Sequence, residues 1–252
     1  GAFMDKVSDI FDTMPPPKKT VQSNCQSYRG QTNQAISNLP SMASYNYSGG
    51  GCCAKGCRIK MSDGSYKKVE EIIKGDEVIT VSNTYVATVN AIVNNGAKPI
   101  LIDVNDDHNI DVSKIEKRIT KKTKAIICVH LTGNPCEMDK ILKIAKNNNI
   151  KIIEDCAQAI GAKFKKKHVG NFGEFGCFSL HPAKNLHVLG DGGFIITNKK
   201  KHYEKLIKLR NHGHTSRELI DSFGFNSRLD SLQAAYANIM LEDYNNWQEK
   251  IN

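Results

Sequence analysis

The feature that most constrains this chain begins at Glu77, where short apolar runs start to alternate with helical stretches of ten or so residues. Strands are expected at 77–80 (EVIT), 99–104 (PILIDV), 125–130 and 151–154. Helices are expected at about 84–95, 112–119, 137–148 and 200–210. Such alternation predicts an α/β fold, a mostly parallel sheet covered by helices on both faces. A last segment, 228–242, carries the apolar spacing of an amphipathic helix. With 252 residues, 40% of them hydrophobic, the chain can bury a sizeable core.

Within this frame residues 176–197, GCFSLHPAKNLHVLGDGGFIIT, stand apart. The run at 177–180 reads as a buried strand and Phe194 to Thr197 as a second, with Gly190, Gly192 and Gly193 serving the turn between them. Lys184 lies in that connection. An ammonium is poor core material, because burying it without a partner is costly. An amine in a half-dry loop suits covalent chemistry with a carbonyl, since desolvation favours the neutral nucleophile. A solvated loop lysine is the rival reading.

Two further features weigh against that rival. The stretch 151–162, KIIEDCAQAIGA, opens as a strand and leaves Asp155 at its carboxyl end, where open parallel sheets place their ligand sites. Gln158 follows three residues later, so if the chain turns helical there the two project from one face. A pyridoxal phosphate site needs such a carboxylate to hold the ring nitrogen protonated. Ser179, five residues before Lys184, offers a hydroxyl to a phosphate.

Together EDCAQA, FSLHPAK and GDGGFIIT resemble the DegT/DnrJ/StrS family of pyridoxal phosphate-dependent sugar aminotransferases. The likeness extends upstream through GDEVITVSNTYVATVNAIVNNGAKPILIDV and AIICVHLTGNPCEMD, and downstream through LRNHG and FGFNSRLDSLQAA. It runs from about Gly75 to the end, and several long motifs in order make it specific. The resemblance implies the large domain of fold-type I pyridoxal phosphate enzymes. It also implies transfer of an amino group, with glutamate as donor, to a keto sugar linked to a nucleotide.

By the same resemblance Lys184 would bond the cofactor and shuttle a proton, and Asp155 would pair with the ring nitrogen. Gln158 would meet the ring hydroxyl, Ser179 would bind the phosphate, and Tyr85, in SNTYVAT, would stack on the ring. Asn226, in FGFNSRLD, would reach the cofactor phosphate of a neighbouring subunit, which requires a homodimer. Retention of Lys184 favours amino transfer over sugar dehydration, since the dehydrating relatives replace that lysine. His181 and His187 are given only a positioning role. The plainer readings are a strand-end cap for Asp155, a surface amide for Gln158, a satisfied hydroxyl for Ser179 and a core ring for Tyr85.

The opening of the chain differs. Residues 1–50 are rich in Ser, Asn, Gln, Pro and Gly and read as a poorly ordered arm. Residues 51–76, with an AspGly turn at Asp63 and Gly64, suggest a hairpin and resemble the start of a Hint module, the self-processing fold of inteins and hedgehog proteins. By that likeness Cys52 would attack its own preceding carbonyl, an alternative activity in which the chain cuts itself. Neither a ThrXXHis element nor a terminal HisAsn pair follows, so the segment reads as a truncated Hint start.

The expected division is therefore an arm (1–50), a truncated Hint-like segment (51–76) and an aminotransferase large domain (77–252). The phosphate-cupping helix start and most of a small C-terminal domain would be missing, which predicts weakened cofactor affinity and low turnover. A non-catalytic remnant of the fold is the third reading.

The formal charge of +9 comes with lysine clusters at 117–124, 165–167 and 199–201. They have no interleaved aromatic platform, so nucleic acid is not expected; a positive field would instead attract an anionic nucleotide-linked substrate. No apolar run spans a bilayer and no export signal is read, so a cytoplasmic protein without membrane contact is expected. Cys128, Cys136, Cys156 and Cys177 look like small buried hydrophobes. Cys52, Cys53 and Cys57 have no histidine close by in sequence, so no metal is expected.

Overall fold

The computed structural model describes Lys19–Ser23, Arg58–Lys60, Tyr66–Lys68 and residues 75–251. Cys52 and most of the polar arm lie outside the described residues. Three short strands precede the main body: β1 (Lys19–Ser23), β2 (Arg58–Lys60) and β3 (Tyr66–Lys68). β2 and β3 pair antiparallel, and the turn expected at Asp63 and Gly64 lies outside the described residues.

The alternation expected from Glu77 onward is present. β4 (Glu77–Val81), α1 (Val86–Val93), β5 (Lys98–Ile102), α2 (Val112–Ile115), β6 (Thr123–Val129), α3 (Met138–Asn147) and β7 (Lys151–Asp155) follow in order. A two-stranded hairpin, β8 (Lys163–Phe164) and β9 (Lys167–His168), leads to β10 (Phe175–Ser179) and β11 (Gly193–Thr197). Helices α4 (Lys200–Leu209) and α5 (Ser231–Ile251) close the chain. The helices before α5 are shorter than the sequence suggests. The 112–119 segment divides into α2 and a 3-10 turn at Glu116–Arg118.

Seven strands form one sheet in the order β1-β11-β10-β7-β6-β4-β5. β5, β4, β6, β7 and β10 are parallel, β11 runs antiparallel to β10, and β1 runs antiparallel to β11. β5 and β6 lie on opposite sides of β4, so the winding reverses there. Ligand crevices of open α/β sheets form outside the carboxyl ends of the strands at such a reversal.

Each strand sends alternate side chains to opposite faces. Ile79, Ile126, Cys128 and Ile152 pack on one face with Met138 and Ile141 of α3. Val78, Ala125, Ile127, Ile153 and Cys177 pack on the other with Ile92 of α1 and Leu206 of α4. A third cluster joins Phe178, Leu180, Phe194 and Ile196 to Ala237, Leu241 and Tyr244 of α5. The period of two then fixes where the polar ends of the strands point. Asp155 continues the face of Ile153, toward α1, and Glu154 continues the face of Ile152. The register pairs Asp155 with Cys177, so Ser179, two residues on, belongs to the same face as Asp155.

The four cysteines of the sheet region are free and buried, as expected. Burial pushes the Cys128 and Cys156 thiols well above their ordinary range and Cys136 up to about 12. Thiols held protonated in this way are inert packing groups. Among the described residues, no helix is long and apolar enough to cross a membrane.

Candidate active site

Asp155 ends β7 at the carboxyl edge of the parallel strands, half-buried. Its Oδ1 accepts from Ala157 N–H at 3.1 Å, and its Oδ2 accepts from the Thr88 hydroxyl at 2.7 Å. A carboxylate offers about four lone-pair positions, so acceptor capacity remains after both bonds. The chain does not turn helical after β7. It makes a tight turn at 157–158, so Asp155 and Gln158 do not share a helix face. The Asp155 side chain bonds the backbone two residues on, as a helix-capping aspartate would, but here it closes a turn that no helix continues. Gln158 is exposed, and its Oε1 accepts from Thr132 N–H at 2.9 Å. That donor fixes the amide's orientation and leaves the Gln158 NH2 free to donate elsewhere.

Ser179 ends β10, and its Oγ accepts from His181 N–H at 3.2 Å. Its hydroxyl hydrogen is thus available to an anionic oxygen. The connection carrying Lys184 is fastened at both ends: Leu180 N–H donates to Gly192 O and Val188 N–H to Leu180 O. Within it Lys184 N–H donates to His181 O, His187 Nδ1 meets Lys184 O at 3.1 Å, and Ala183 N–H donates to His181 Nδ1. Both histidines therefore hold the lysine's backbone. From α5, Gln233 Oε1 accepts Leu189 N–H at 2.8 Å. The Lys184 side chain is half-buried, and no ion pair engages its amine among the described residues.

Tyr85 is the N-cap of α1 and is 61% exposed, so the core-tyrosine reading does not hold for it. Asn226 is exposed on the segment between α4 and α5. It forms an isolated bridge with Asn211, and its Oδ1 accepts from Arg228 Nε at 2.9 Å. That segment leaves Leu219, Ile220 and Phe223 exposed, the last at 87%.

Three supports were not read from the sequence. Thr88, one turn after Tyr85, is buried and grips Asp155. Glu154 is wholly buried and accepts four bonds, from Gly170 N–H at 2.6 Å, Phe172 N–H at 2.7 Å, Gly173 N–H at 2.6 Å and His130 Nε2 at 3.1 Å. His130 Nδ1 accepts from Cys136 N–H, so the ring proton is on Nε2 and donates to Glu154. His130, Glu154 and Cys156 bring potential metal ligands within 4.8 Å of one another. The nitrogens and oxygens of that group are already engaged, and it serves to pin the loop 170–173 beneath β7.

The donor set fits pyridoxal phosphate: a carboxylate with acceptor capacity left, a hydroxyl with its hydrogen free, an unpaired amine and an exposed ring.

Comparison with known proteins agrees. The family model described as the DegT/DnrJ/EryC1/StrS aminotransferase family matches residues 60–251. It begins inside the segment read as a Hint-like opening, at the last residue of β2, so β3 falls within the aminotransferase match. A dTDP-3-amino-3,6-dideoxy-alpha-D-galactopyranose transaminase of Aneurinibacillus thermoaerophilus is 53% identical over 170 residues, covering 66% of this chain and 46% of the relative. The solved structure of S. venezuelae DesV in complex with a ketimine intermediate is 29% identical and superposes with a TM-score of 0.73, over 99% of this chain and 58% of the other. The structure of Bacillus subtilis ntda with bound cofactor pmp is 27% identical with a TM-score of 0.69, over 96% and 48%. The chain spans about half the length of the curated relatives it matches. On the strength of a match over residues 60–251, the chain belongs to the DegT/DnrJ/EryC1/StrS aminotransferase family.

Proposed function

We propose that this chain supplies the cofactor-binding face of a pyridoxal phosphate-dependent aminotransferase, with residues 77–252 as its large domain, that moves an amino group onto a nucleotide-linked keto sugar. The single observation that carries the reading is that Asp155 and Ser179 share one sheet face and one strand edge, with Lys184 five residues beyond Ser179. Pyridoxal phosphate, when bound, supplies an electron-withdrawing ring that stabilises charge on the carbon losing its proton. The chain does the rest. Asp155 keeps the ring nitrogen protonated, Ser179 donates to the phosphate, Gln158 donates to the ring hydroxyl and Tyr85 stacks on the ring. Lys184 would anchor the group and, once the amino donor displaces it, move a proton between the substrate carbon and the cofactor carbon.

The sugar class is supported by the relatives, among them the transaminase of A. thermoaerophilus and a GDP-perosamine synthase of Escherichia coli O157:H7. The net charge of +9 suits an anionic substrate. A homodimer belongs to the reading: the exposed apolar residues Leu219, Ile220 and Phe223 beside Asn226 are of the kind that another protein surface covers. Glutamate is the proposed donor.

The test is a half-reaction. Protein loaded with pyridoxal phosphate and given L-glutamate is expected to release 2-oxoglutarate up to one equivalent per site. A nucleotide-linked keto sugar added next should allow continued turnover. Cofactor binding without any keto acid from glutamate or other amino acids would contradict amino transfer.

A further inference from the structure

The sequence motifs account for the groups that face the cofactor but not for what holds the principal one still. Asp155 has a torsion between sp3 and sp2 carbons at its end, which is broad and soft, so a single bond leaves the carboxylate able to swing. Ala157 N–H supplies one bond, on Oδ1. The second comes from outside the β7 turn: the Thr88 hydroxyl donates to Oδ2 at 2.7 Å, from a buried position on α1.

Thr88 has one hydroxyl hydrogen, and a carboxylate can only accept it. The 2.8 Å contact between Thr84 Oγ1 and Thr88 Oγ1 therefore has Thr84 as donor. This fixes the rotamer as well. A helical threonine ordinarily divides between two χ1 states because its hydroxyl can turn back to the carbonyl four residues earlier. Here the Thr84 hydroxyl meets Oγ1, and the hydrogen goes to Asp155. The result is a directed chain, Thr84 to Thr88 to Asp155, anchored on the first turn of the helix that follows Tyr85.

We propose that Thr88 is a positioning residue. Its hydroxyl locks the Asp155 carboxylate in the rotation that presents a remaining lone pair to the cofactor's ring nitrogen, and Thr84 selects the Thr88 rotamer that does so. The inference rests on the reading of Asp155 as the ring-nitrogen partner. It adds a specificity requirement, since the helix that carries the stacking tyrosine also sets the carboxylate.

The experiment is a double-mutant cycle read by equilibrium titration with pyridoxal phosphate, by the pH profile of the bound cofactor's visible absorbance, and by borohydride trapping. The proteins are wild type, Thr88→Val, Thr88→Ser, Asp155→Asn and the Thr88→Val/Asp155→Asn double variant. Thermal unfolding checks that each is folded. Thr88→Val, which keeps the shape, is expected to weaken binding by roughly tenfold or more, from loss of a hydrogen bond to a charged group. It should also narrow the pH range over which the protonated-ring absorbance persists. Thr88→Ser should restore both. On the Asp155→Asn background Thr88→Val should add little, because the two act as one unit. Thr88→Val binding as tightly as wild type with the same pH profile overturns the inference. So does a penalty of equal size on the Asp155→Asn background, which would mean that Thr88 acts through packing alone. Absence of any trapped cofactor on wild-type Lys184 overturns the functional reading itself and this inference with it, an outcome distinct from the other two.

Discussion

The hydroxyl of Thr88 and the carboxylate of Asp155, 67 residues apart in the chain, meet at 2.7 Å at the edge of the sheet. The contact ties the first turn of α1 to the end of β7, and so fixes a carboxylate that local sequence alone would leave loose.

Asp155→Asn should weaken pyridoxal phosphate binding by roughly ten- to a hundredfold, the cost of exchanging a charge-assisted bond for a neutral one. It should also suppress turnover further than the lost affinity explains, because a neutral amide does not hold the ring nitrogen protonated. A titration alongside single-turnover rates at saturating cofactor separates the two effects.

Glu154→Gln should destabilise the fold, because the residue is wholly buried and its bonds hold backbone. Both of its oxygens accept N–H donors, Oε1 from Phe172 and Gly173 and Oε2 from Gly170 and His130. Either orientation of an amide would set a donor against a donor. The expected loss is about 2–4 kcal/mol, measured by urea unfolding.

Stability should fall between about pH 6.5 and pH 4 partly through His168. Burial lowers its pKa from 6.5 to about 4, so over that window the unfolded chain binds the proton and the folded chain does not. The unfolded state then binds more protons, and stability rises with pH. The contribution is fully present above pH 6.5 and lost as pH falls toward 4, on the order of 3 kcal/mol in all. His168→Gln should flatten this part of the unfolding free energy against pH.

Gly176→Ala should not fold normally. A Cβ there would lie 2.3 Å from Gly170 Cα and 2.5 Å from Gly170 O, where backbone meets backbone and neither can yield cheaply. Soluble yield and circular dichroism test it, with Gly75→Ala, whose surroundings are open, as the control for a mere change of glycine. Gly75 has a positive φ of 110°, so that control is expected to cost a modest amount through backbone strain alone.

The sheet was legible because each of β4, β5 and β6 is a short apolar run followed by a helix, and that pattern survives without any knowledge of contacts. Helix ends were less so: the 112–119 stretch has helical spacing, but the chain tightens into a 3-10 turn after Ile115. The segment after Asp155 misled for a physical reason. Asp155 and Gln158 have the spacing of a helical pair, yet the Asp155 side chain caps its own backbone at Ala157 and Gln158 is drawn to Thr132. Lys184, Asp155 and Ser179 were legible as candidates through motif order. Thr88, Glu154 and His130 were not, because their roles arise from contacts across 16 to 67 residues that no local spacing records.

The central claim is that Lys184 is the amine that takes up pyridoxal phosphate. Incubation with the cofactor, borohydride reduction and peptide mass mapping tests it most directly, with Lys184→Ala in parallel. The account predicts one stable adduct per chain, on Lys184, absent from the variant. No adduct, or adducts spread over the surface lysines and unchanged in Lys184→Ala, would contradict it.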